Sequence, residues 1–322
     1  MTRTGLNRLA KSLADKGLAA IVIAAYGRQF VVRTADGVTT SCVTRGKRVD
    51  LCVGDRVQYM PSGDGTGVIE STQERASLLK RSDYRRTKLV AANIDRIACV
   101  IATDPSYSEA LLSRVLLAAS EAGRPALIIV SKCDLQDKLA AIEPRLTLYE
   151  SLGYDVARIA PISDPLGSIQ TLRPYIDKQT TVFLGQSGMG KSTLVNALVP
   201  AAGLVTQEIS TALSSGKHTT TFTKAFALDH GGLTGTVIDS PGFQEFGLSH
   251  LHPSQVEHGM PEFAQLLGQC KFSNCKHLDE PGCAVKAAIE SGDLDKRRYD
   301  LFCTVMRDLE FYASAAWKMP KI

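Results

Sequence analysis

The chain has 322 residues, of which 44% are hydrophobic and 22% are charged. This is the composition of a globular protein, and it excludes the disordered and collagen-like classes. The formal net charge is +4, but residues 1–90 carry 16 Lys and Arg against 8 Asp and Glu, and the rest carries 21 against 25. No apolar run approaches the roughly 18 residues that a membrane-spanning helix needs, so we expect a soluble protein that binds no membrane.

The excess of cations near the N-terminus predicts a polyanionic partner such as nucleic acid, although a solvated basic surface has the same composition. Eight cysteines are spread over a long chain, which is typical of a reducing compartment and not of a small disulfide framework. We therefore expect a cytoplasmic protein whose thiols are free or bound to metal.

Residues 18–79 contain short β-type runs separated by Gly and Asp turns, at 21–24, 29–33, 39–43, 55–60 and 68–69. Such strands predict a small barrel, and an OB-fold is the natural candidate. A basic connector follows, in which only Asp83 opposes the cations Arg75, Lys80, Arg81, Arg85, Arg86 and Lys88. We place the first domain boundary there, so that residues 1–80 form an RNA-binding OB-fold domain.

From residue 97 the pattern becomes an alternation of strands and helices. Strands are predicted at 97–102, 126–130, 181–184 and 236–238, and helices at 108–122, 136–152 and 191–198. This alternation indicates an α/β domain with a mostly parallel sheet, which we assign to residues 81–247. Beyond it, a Cys- and His-rich segment and helical stretches predict a mostly helical third domain at residues 248–322.

Residues 185–192 satisfy the pattern G-x-x-x-x-G-K-S between an apolar strand and a helix, the context that a phosphate-binding loop requires. Glycines let backbone N–H groups wrap the β-phosphate, and the helix N-terminus adds its dipole. Lys191 is predicted to reach the β- and γ-phosphates, and Ser192 to hold Mg²⁺. The predicted nucleotide contacts here are Gly185, Gln186, Ser187, Gly188, Met189, Gly190, Lys191, Ser192 and Thr193.

A second motif, D-x-P-G, ends the last strand of this domain. Asp239 is expected near Mg²⁺, and the N–H of Gly242 near the γ-phosphate. The polar segment at 214–221 is a candidate loop that orders on the γ-phosphate, with Thr219 or Thr220 as a further Mg²⁺ ligand. A Thr-rich surface loop is the alternative for this segment.

The segment Ser131-Lys132-Cys133-Asp134 follows another strand and is similar to the base-reading motif N-K-x-D. The carboxylate of Asp134 can accept hydrogen bonds from guanine N1–H and the exocyclic amine, which adenine does not present. Ser131 stands where the usual motif has Asn, and a hydroxyl supplies fewer contacts than an amide. On its own the segment is also typical of a helix cap.

The base-reading segment precedes the phosphate loop, whereas ordinary guanine-nucleotide switch domains have the reverse order. The chain is therefore predicted to be a circularly permuted P-loop GTPase, with GTP contacts from Ser131, Lys132, Asp134, Asp239 and Gly242 in addition to the phosphate loop. GTP and GDP are its expected nucleotides.

Phe243 occupies the position after D-x-P-G where many such enzymes place a Gln that orients the attacking water. A phenyl ring cannot hydrogen-bond to water, and His218 is the nearest polar candidate in the sequence. We therefore predict His218 and Lys191 as the catalytic residues. Slow hydrolysis by the isolated protein is the expected consequence.

Three thiols and one imidazole occur within 14 residues, at Cys270, Cys275, His277 and Cys283. Thiolates with imidazole suit a tetrahedral Zn²⁺, and four protein ligands leave no open position, so one structural zinc is predicted. The other cysteines lack such spacing and are interpreted as buried thiols.

With these motifs in one order, the chain resembles the RsgA (YjeQ) family of circularly permuted GTPases, which act in maturation of the small ribosomal subunit. The likeness includes Gly54-Asp55-Arg56-Val57 in the barrel, H-T-T-T at 218–221, D-S-P-G-F with Glu245-Phe246-Gly247, and residues 280–286 at the Cys₃His segment. It implies an N-terminal OB-fold and a zinc-bearing C-terminal domain. It also implies binding to the small subunit and its ribosomal RNA, GTP hydrolysis that the subunit stimulates, and a water-orienting role for His218. The chain departs from the family at Ser131 and at Ala160-Pro161, a weak match to the segment that backs the base.

We therefore expect a monomeric GTP hydrolase in the cytoplasm, with Mg²⁺ accompanying GTP and one structural zinc. Two alternatives stay open: an ATPase or loosely selective NTPase, because of Ser131, and an RNA-binding protein in which nucleotide only modulates docking. Competition between ATP and GTP distinguishes the first alternative, and the effect of Lys191→Ala on subunit maturation distinguishes the second.

Overall fold

A computed structural model describes residues 17–46, 50–83, 86–204 and 222–317 of the chain. The predicted switch loop lies outside the described residues, and with it His218, Thr219 and Thr220. Within the described ranges, no helix combines the length and the apolar character that crossing a bilayer requires.

The N-terminal segment forms a closed barrel of strands β1 (Leu18–Tyr26), β2 (Gln29–Arg33), β3 (Thr39–Thr44), β4 (Arg56–Pro61) and β5 (Thr66–Thr72). The strands follow the order β1-β2-β3-β5-β4, and β4 pairs with β1 to close the barrel. All pairs are antiparallel except β3 with β5. Because successive strand residues face opposite sides, alternate side chains such as Val22, Phe30 and Val57 fill the interior. The predicted OB-like barrel is confirmed.

The basic connector of the sequence prediction is in fact a β-hairpin of strands β6 (Leu78–Ser82) and β7 (Thr87–Ala92). Its apolar side chains join the main core, but the cations between them concealed the strand alternation. Isolated β-bridges tie the hairpin to the barrel at Val53 and Ala91, and to the segment after the α/β domain at Ser82 and Leu248. The expected boundary between residues 80 and 81 falls inside β6.

The sheet of the α/β domain consists of β8 (Arg96–Ala102), β9 (Ala126–Ser131), β10 (Asp155–Arg158), β11 (Gln179–Gly185), β12 (Lys224–His230) and β13 (Leu233–Asp239). Its order is β10-β9-β8-β11-β13-β12, and β12 runs antiparallel to the rest. β12 also pairs with β1 through Lys224 and Ala24, so the sheet continues into the barrel. The carboxyl ends of β9, β11 and β13, where the predicted motifs lie, meet at one edge.

Helices cover both faces of this sheet: α1 (Glu109–Glu121), α2 (Gln136–Ser151), α3 (Pro165–Ile176) and α4 (Lys191–Leu198). The buried strands alternate their side chains between two apolar cores, one shared with α1 and α2 and the other with α3 and α4. The predicted strands and helices of this domain are all present. The sequence prediction lacked β10, α3 and β12: β10 is short, and α3 contains Gly167 and Pro174, residue types that disfavour helix.

After β13 the described elements are helices: α5 (Pro253–His258), α6 (Pro261–Ala264), α7 (Ala284–Ser291) and α8 (Lys296–Trp317). This confirms the mostly helical C-terminal part. Phe263 and Phe302 pack in the same core as α1. Arg298 of α8 is 2% exposed and donates to Glu262 at 2.6 Å and to Ser113 of α1 at 3.0 Å, which fixes α8 against the α/β domain.

Candidate nucleotide site and metal centre

The phosphate-loop motif lies between β11 and α4. Gly185 has a φ of 152° and Gly190 a φ of 82°, backbone conformations that favour glycine. A Cβ on Gly185 would lie 2.4 Å from the carbonyl oxygen of Val100 in β8, and a Cβ on Gly190 would lie 3.1 Å from Ser131 Oγ. The loop is therefore held close to the backbone of β8 and to the base-side motif, and these two positions need glycine.

Lys191 and Asp239 bring the phosphate loop and the D-x-P-G motif into contact. Lys191 is 6% exposed and Asp239 is fully buried, and Lys191 Nζ lies 3.3 Å from Asp239 Oδ1. Lys191 Nζ also donates a hydrogen bond to the carbonyl oxygen of Ser240. Burial lowers the pKa of Lys191, and the carboxylate of Asp239 opposes that shift. A cation and an anion thus share a desolvated site at the edge of the sheet, where charges interact strongly.

The D-x-P-G segment packs directly on the phosphate loop. The N–H of Phe243 donates to the carbonyl oxygen of Gly185 at 3.1 Å. A Cβ on Gly242 would lie 3.0 Å from the amide nitrogen of Ser187. Because these contacts join backbone to backbone, a displacement of either motif displaces the other.

Phe243 links this segment to the β6–β7 hairpin. It is 7% exposed and makes an edge-to-face contact with Phe246, with ring centroids 5.5 Å apart. The guanidinium of Arg81, on β6, lies 4.8 Å from the centroid of the Phe243 ring. The ring is therefore a packing element with no hydrogen bond to offer a water molecule.

The base-side motif and the start of α4 border a cavity of about 230 Å³. Asp134 lies on its rim and is exposed. Helix α2 has Leu135 at its N-cap and no side-chain capping bond, so Asp134 does not act as a helix cap. The lining residues are Ser131, Lys132, Asp134, Leu135, Ala160, Pro161, Ile162, Gly190 and Thr193.

Ser131 and Lys132 make hydrogen bonds to neighbouring loops. Ser131 is 1% exposed, and its Oγ donates to the carbonyl oxygen of Met189 at 2.6 Å, so it ties the base-side motif to the phosphate loop. Lys132 Nζ donates to the carbonyl oxygen of Asp104 at 2.7 Å. Direct contacts of these two side chains with a base stay a prediction.

Gln186 and Ser192 complete the described part of the predicted nucleotide site. Gln186 Oε1 accepts a hydrogen bond at 2.7 Å from the N–H of Ser108, the N-cap residue of α1. The Gln186 side chain therefore braces α1 against the phosphate loop. Ser192 is half-buried in the first turn of α4, directly after Lys191.

The Cys₃His residues are brought together as a compact cluster. The sulfurs of Cys270, Cys275 and Cys283 and Nδ1 of His277 all lie within 4.8 Å of one another. Nδ1 is 3.4 Å from the sulfurs of Cys270 and Cys283 and 3.7 Å from that of Cys275. A tetrahedral ion with bonds of about 2.3 Å to sulfur and about 2.1 Å to nitrogen separates its ligand atoms by roughly 3.5 to 3.8 Å, so this donor set fits such an ion. The cluster is a candidate metal site.

Comparison with known proteins identifies the family. Residues 72–249 match the family model described as RsgA GTPase. A Paraburkholderia phymatum protein named small ribosomal subunit biogenesis GTPase RsgA is 46% identical over 93% of this chain and 94% of its own length. A Ralstonia nicotianae protein of the same name is 43% identical over 96% of both chains. The chain belongs to the RsgA GTPase family.

As an RsgA-family member, the chain is a GTP hydrolase. Its fold is similar to the crystal structure of YjeQ from Thermotoga maritima, with a TM-score of 0.69 and 29% identity over 91% of this chain and 98% of that one. It is also similar to YloQ, described as a circularly permuted GTPase, with a TM-score of 0.63 and 28% identity over 95% and 97% of the two chains. The predicted circular permutation is confirmed.

Sequence reasoning missed three contacts of this RsgA-family site. They are the Ser131 bond to Met189, the Gln186 bond to α1, and the packing of Arg81 on Phe243. Each joins side chains and loops that are far apart along the chain, and no motif spacing identifies such pairs. The basic run that contains Arg81 was visible in the sequence, but its aromatic partner was not.

Proposed function

We propose that this GTPase binds the small ribosomal subunit through its ribosomal RNA and assists late maturation of that subunit. In this proposal the subunit raises the rate at which GTP is hydrolysed to GDP and phosphate. The main support for nucleotide hydrolysis is one observation. Lys191, Asp239 and the cavity beside Asp134 lie together at one edge of the sheet. The names of relatives at 46% and 43% identity support the ribosomal partner.

Nucleotide binding is assigned to residues 185–193. Their backbone N–H groups wrap the β-phosphate, and the close approaches at Gly185 and Gly190 keep side chains out of the loop. Lys191 exchanges its contact with Asp239 for the β- and γ-phosphates, which carry more negative charge. Asp134 accepts the N1–H and amine hydrogen bonds of guanine in the adjoining cavity.

When bound with GTP, Mg²⁺ would supply positive charge that neutralises the phosphates. Ser192 and Asp239 fit this hard cation, because Asp239 offers a fully buried carboxylate and Ser192 a hydroxyl in the first turn of α4. The N–H of Gly242 is assigned to the γ-phosphate. Thr219 or Thr220 is the further ligand that we propose for the cation.

Hydrolysis proceeds by in-line attack of water on the γ-phosphorus. A bond forms between the water oxygen and the γ-phosphorus, and the bond from the γ-phosphorus to the β–γ bridging oxygen breaks, leaving its electron pair on GDP. The water proton passes to a phosphate oxygen or to solvent. Lys191 and the loop N–H groups stabilise the negative charge on these oxygens.

His218 is proposed to orient the attacking water, because Phe243 offers no hydrogen bond, and docking on the subunit is proposed to bring His218 to this water. His218→Ala should abolish subunit-stimulated hydrolysis and leave GDP affinity unchanged. Unchanged stimulated hydrolysis in this variant would remove His218 from the mechanism.

Selectivity for guanine over adenine nucleotides tests whether the cavity beside Asp134 binds the base. GTP should displace a fluorescent GDP analogue at far lower concentration than ATP. Asp134→Asn should weaken GTP binding and favour xanthosine nucleotide, because xanthine has an oxygen where guanine has its amine. Asp137→Asn, which changes an exposed carboxylate in the first turn of α2, is the control and should leave selectivity unchanged. Equal displacement by ATP and GTP would support an unselective NTPase instead.

Lys191→Ala tests whether hydrolysis drives subunit maturation. We expect this variant to lose GTP hydrolysis and to fail to restore maturation in cells that lack the protein. Lys178→Ala, an exposed lysine directly before β11 and therefore far from the phosphate loop, is the matched control and should behave as wild type. Full maturation without hydrolysis would favour the alternative, an RNA-binding protein in which nucleotide only modulates docking.

One structural Zn²⁺ is assigned to Cys270, Cys275, His277 and Cys283. The hydroxyl of Tyr299 in α8 donates to the carbonyl oxygen of His277 at 2.9 Å, so the cluster also orders the last helix. Elemental analysis should find one zinc per chain. Cys283→Ser should lose the metal and lower the Tm, whereas Cys303→Ser, a buried thiol on α8, should retain it. An unchanged Tm after chelation would contradict a structural role.

The remaining assignments follow from the ribosomal partner. We propose that the protein acts in the cytoplasm as a monomer, with RNA binding by the barrel and the hairpin. The proposed domains are residues 1–80, 81–247 and 248–322, and strand β6 crosses the first of these boundaries. Size-exclusion chromatography with light scattering tests the monomer.

A further inference from the structure

A cleft of about 840 Å³ lies between the barrel, the β6–β7 hairpin and the segment that carries D-x-P-G. The barrel contributes residues 50–53 to its wall, the hairpin contributes Arg81 and residues 86–90, and the α/β domain contributes Phe222, Pro241 and Phe243. The cleft shares no described lining residue with the cavity beside Asp134. It is therefore a separate feature of the molecule.

Cations dominate the charge of this cleft. Arg81, Arg86 and Lys88 line it, and Asp50 is the only acidic residue among its described lining residues. Burial lowers the pKa of Arg81, and burial together with repulsion from Arg81 and Arg86 lowers the pKa of Lys88. Closely spaced cations of this kind are stabilised by an anion placed between them. A phosphate group satisfies this requirement.

Aromatic rings lie beside these cations. Phe222, on the cleft wall, is 42% exposed. It meets Tyr26 edge-to-face, with ring centroids 4.9 Å apart. The ammonium of Lys224 lies 5.8 Å from the centroid of the Tyr26 ring. Grooves that bind single-stranded nucleic acid combine such cations, which contact phosphates, with aromatic faces on which bases stack.

The cleft also reaches the nucleotide site, because Pro241 of the D-x-P-G motif and the adjoining Phe243 line it. The guanidinium of Arg81 lies 4.8 Å from the centroid of the Phe243 ring. The N–H of Phe243 in turn donates to the carbonyl oxygen of Gly185, at the start of the phosphate loop. An anion that draws Arg81 away from the ring therefore acts on the backbone that holds the phosphate loop.

We propose that this cleft binds a single-stranded stretch of RNA and that Arg81 couples its binding to the nucleotide site through Phe243. Phosphates contact Arg81, Arg86 and Lys88, and a base stacks on Phe222. The proposal rests on the proposed function for the class of partner, and it locates the surface at which RNA and nucleotide influence each other. Arg81 is a positioning residue, since it acts through Phe243.

The binding site is tested with the full-length protein and a fluorescently labelled oligouridylate. Arg86→Gln and Lys88→Gln should each weaken binding and reduce the slope of log affinity against log salt by about 0.7. Phe222→Ala should weaken binding roughly fivefold or more, because a stacking platform is lost. Lys178→Gln removes an exposed cation outside the cleft and should change neither quantity. Unchanged affinity and salt slope in Arg86→Gln and Lys88→Gln would overturn the site.

An acidic peptide is the competing class of ligand. Polyglutamate carries the charge of a phosphate backbone but no bases. We expect it to compete only weakly with oligouridylate for the wild-type protein. Competition by polyglutamate at equal charge, together with no effect of Phe222→Ala, would overturn RNA as the ligand.

The coupling is tested by measuring oligouridylate affinity with GDP and with a non-hydrolysable GTP analogue. If Arg81 couples the two sites, the wild type should bind RNA with different affinities in the GDP and GTP-analogue states. By linkage, RNA should then change the relative affinity for the two nucleotides by the same factor. Arg81→Lys keeps the charge but loses the planar face that packs on Phe243, so it should bind RNA while losing the difference. Arg86→Gln should bind RNA more weakly and keep the difference.

Two results would overturn the coupling: equal RNA affinity in both nucleotide states of the wild type, or an undiminished difference in Arg81→Lys. The proposed function fails separately, if small subunits neither bind the protein nor stimulate its hydrolysis. If the cleft variants bind oligouridylate as the wild type does while small subunits still stimulate hydrolysis, only the cleft proposal is refuted.

Discussion

Ser131 shows how the structure changes the interpretation of a single residue. The sequence marks it as a weak substitute for the Asn that reads the base. In the structure its Oγ donates to the carbonyl oxygen of Met189 at 2.6 Å, inside the protein. The hydroxyl therefore holds the base-side motif against the phosphate loop, and the short side chain suits the close approach of Gly190.

Ser131→Ala should weaken GDP binding about fivefold, since it leaves the buried carbonyl of Met189 without its donor at a cost of about 1 kcal/mol. Ser163→Ala, an exposed hydroxyl near the same cavity, should bind GDP as wild type does. Titration with a fluorescent GDP analogue measures both. If Ser131→Ala bound GDP with wild-type affinity, the hydrogen bond from Ser131 to Met189 would not contribute to nucleotide binding.

His250 is the residue that should give folding a pH dependence. Its Nδ1 lies 2.5 Å from Ser82 Oγ, and its Nε2 lies 4.0 Å from Glu121, which also pairs with Lys80 at 2.8 Å. Burial lowers the pKa of His250, Glu121 opposes the shift, and Lys80 adds to it. The unfolded chain then takes up a proton more readily than the folded one.

The contribution of His250 is therefore complete above its ordinary pKa of about 6.5 and is lost as the pH falls toward the lowered value. On acidification from about pH 7.5 to about pH 5.5, the Tm of the wild type should fall more than that of His250→Gln. His230→Gln, which replaces an exposed histidine at the end of β12, should follow the wild type. Parallel decreases in wild type and His250→Gln would contradict the burial argument.

At the scale of elements, the strands that carry the site could be predicted from the sequence. β8 and β9 are almost continuous apolar runs, and β11 contains the shorter apolar run 182–184, because both faces of these strands are buried. The base-side motif and the phosphate loop follow directly at the carboxyl ends of β9 and β11. The β6–β7 hairpin could not be predicted, since its cations interrupt the pattern and its packing partners lie in the barrel and beyond β13. Tertiary contacts determine whether such a segment forms strands, and the periodicity of the sequence does not reveal those contacts.

Arg298 holds α8 against two other helices: it forms a buried ion pair with Glu262 of α6 and donates a hydrogen bond to Ser113 of α1. Arg298 is 2% exposed and Glu262 is 7% exposed, and no water screens their contact effectively. Arg298→Met leaves the Glu262 charge buried and should lower the free energy of unfolding by about 3–5 kcal/mol. Arg297→Met, the exposed neighbour on the same helix, should have a small effect. Urea denaturation compares the two, and similar midpoints would contradict the role of Arg298.

At the scale of the whole molecule, the permutation places D-x-P-G at the exit of the α/β domain. The chain runs from Asp239 past Phe246, which lies in the same core as Phe302 of α8. The exit is also tied to the hairpin, because the N–H of Ser82 donates to the carbonyl oxygen of Gly247 at 2.9 Å. Barrel, hairpin, nucleotide site and C-terminal helices are thus connected through one short segment.

Gly247→Ala should disturb this connection, since its Cβ would lie 2.1 Å from the carbonyl oxygen of Ser82. We expect subunit-stimulated hydrolysis to fall roughly fivefold or more, in line with coupling free energies of about 1–3 kcal/mol, and GDP affinity to change little. Gly63→Ala, which meets no atom within 4 Å, is the control. Equal losses of GDP affinity and stimulated rate would indicate a general structural defect instead.

The most direct measurement is GTP hydrolysis by the full-length protein with and without purified small ribosomal subunits. In the wild type, Lys191 Nζ lies 3.3 Å from Asp239 Oδ1. The Lys191→Ala variant lacks this amine and provides the inactive reference. We predict slow hydrolysis by the isolated wild type, a much faster rate when subunits are added, and neither in Lys191→Ala. A wild-type rate that small subunits leave unchanged would contradict the account.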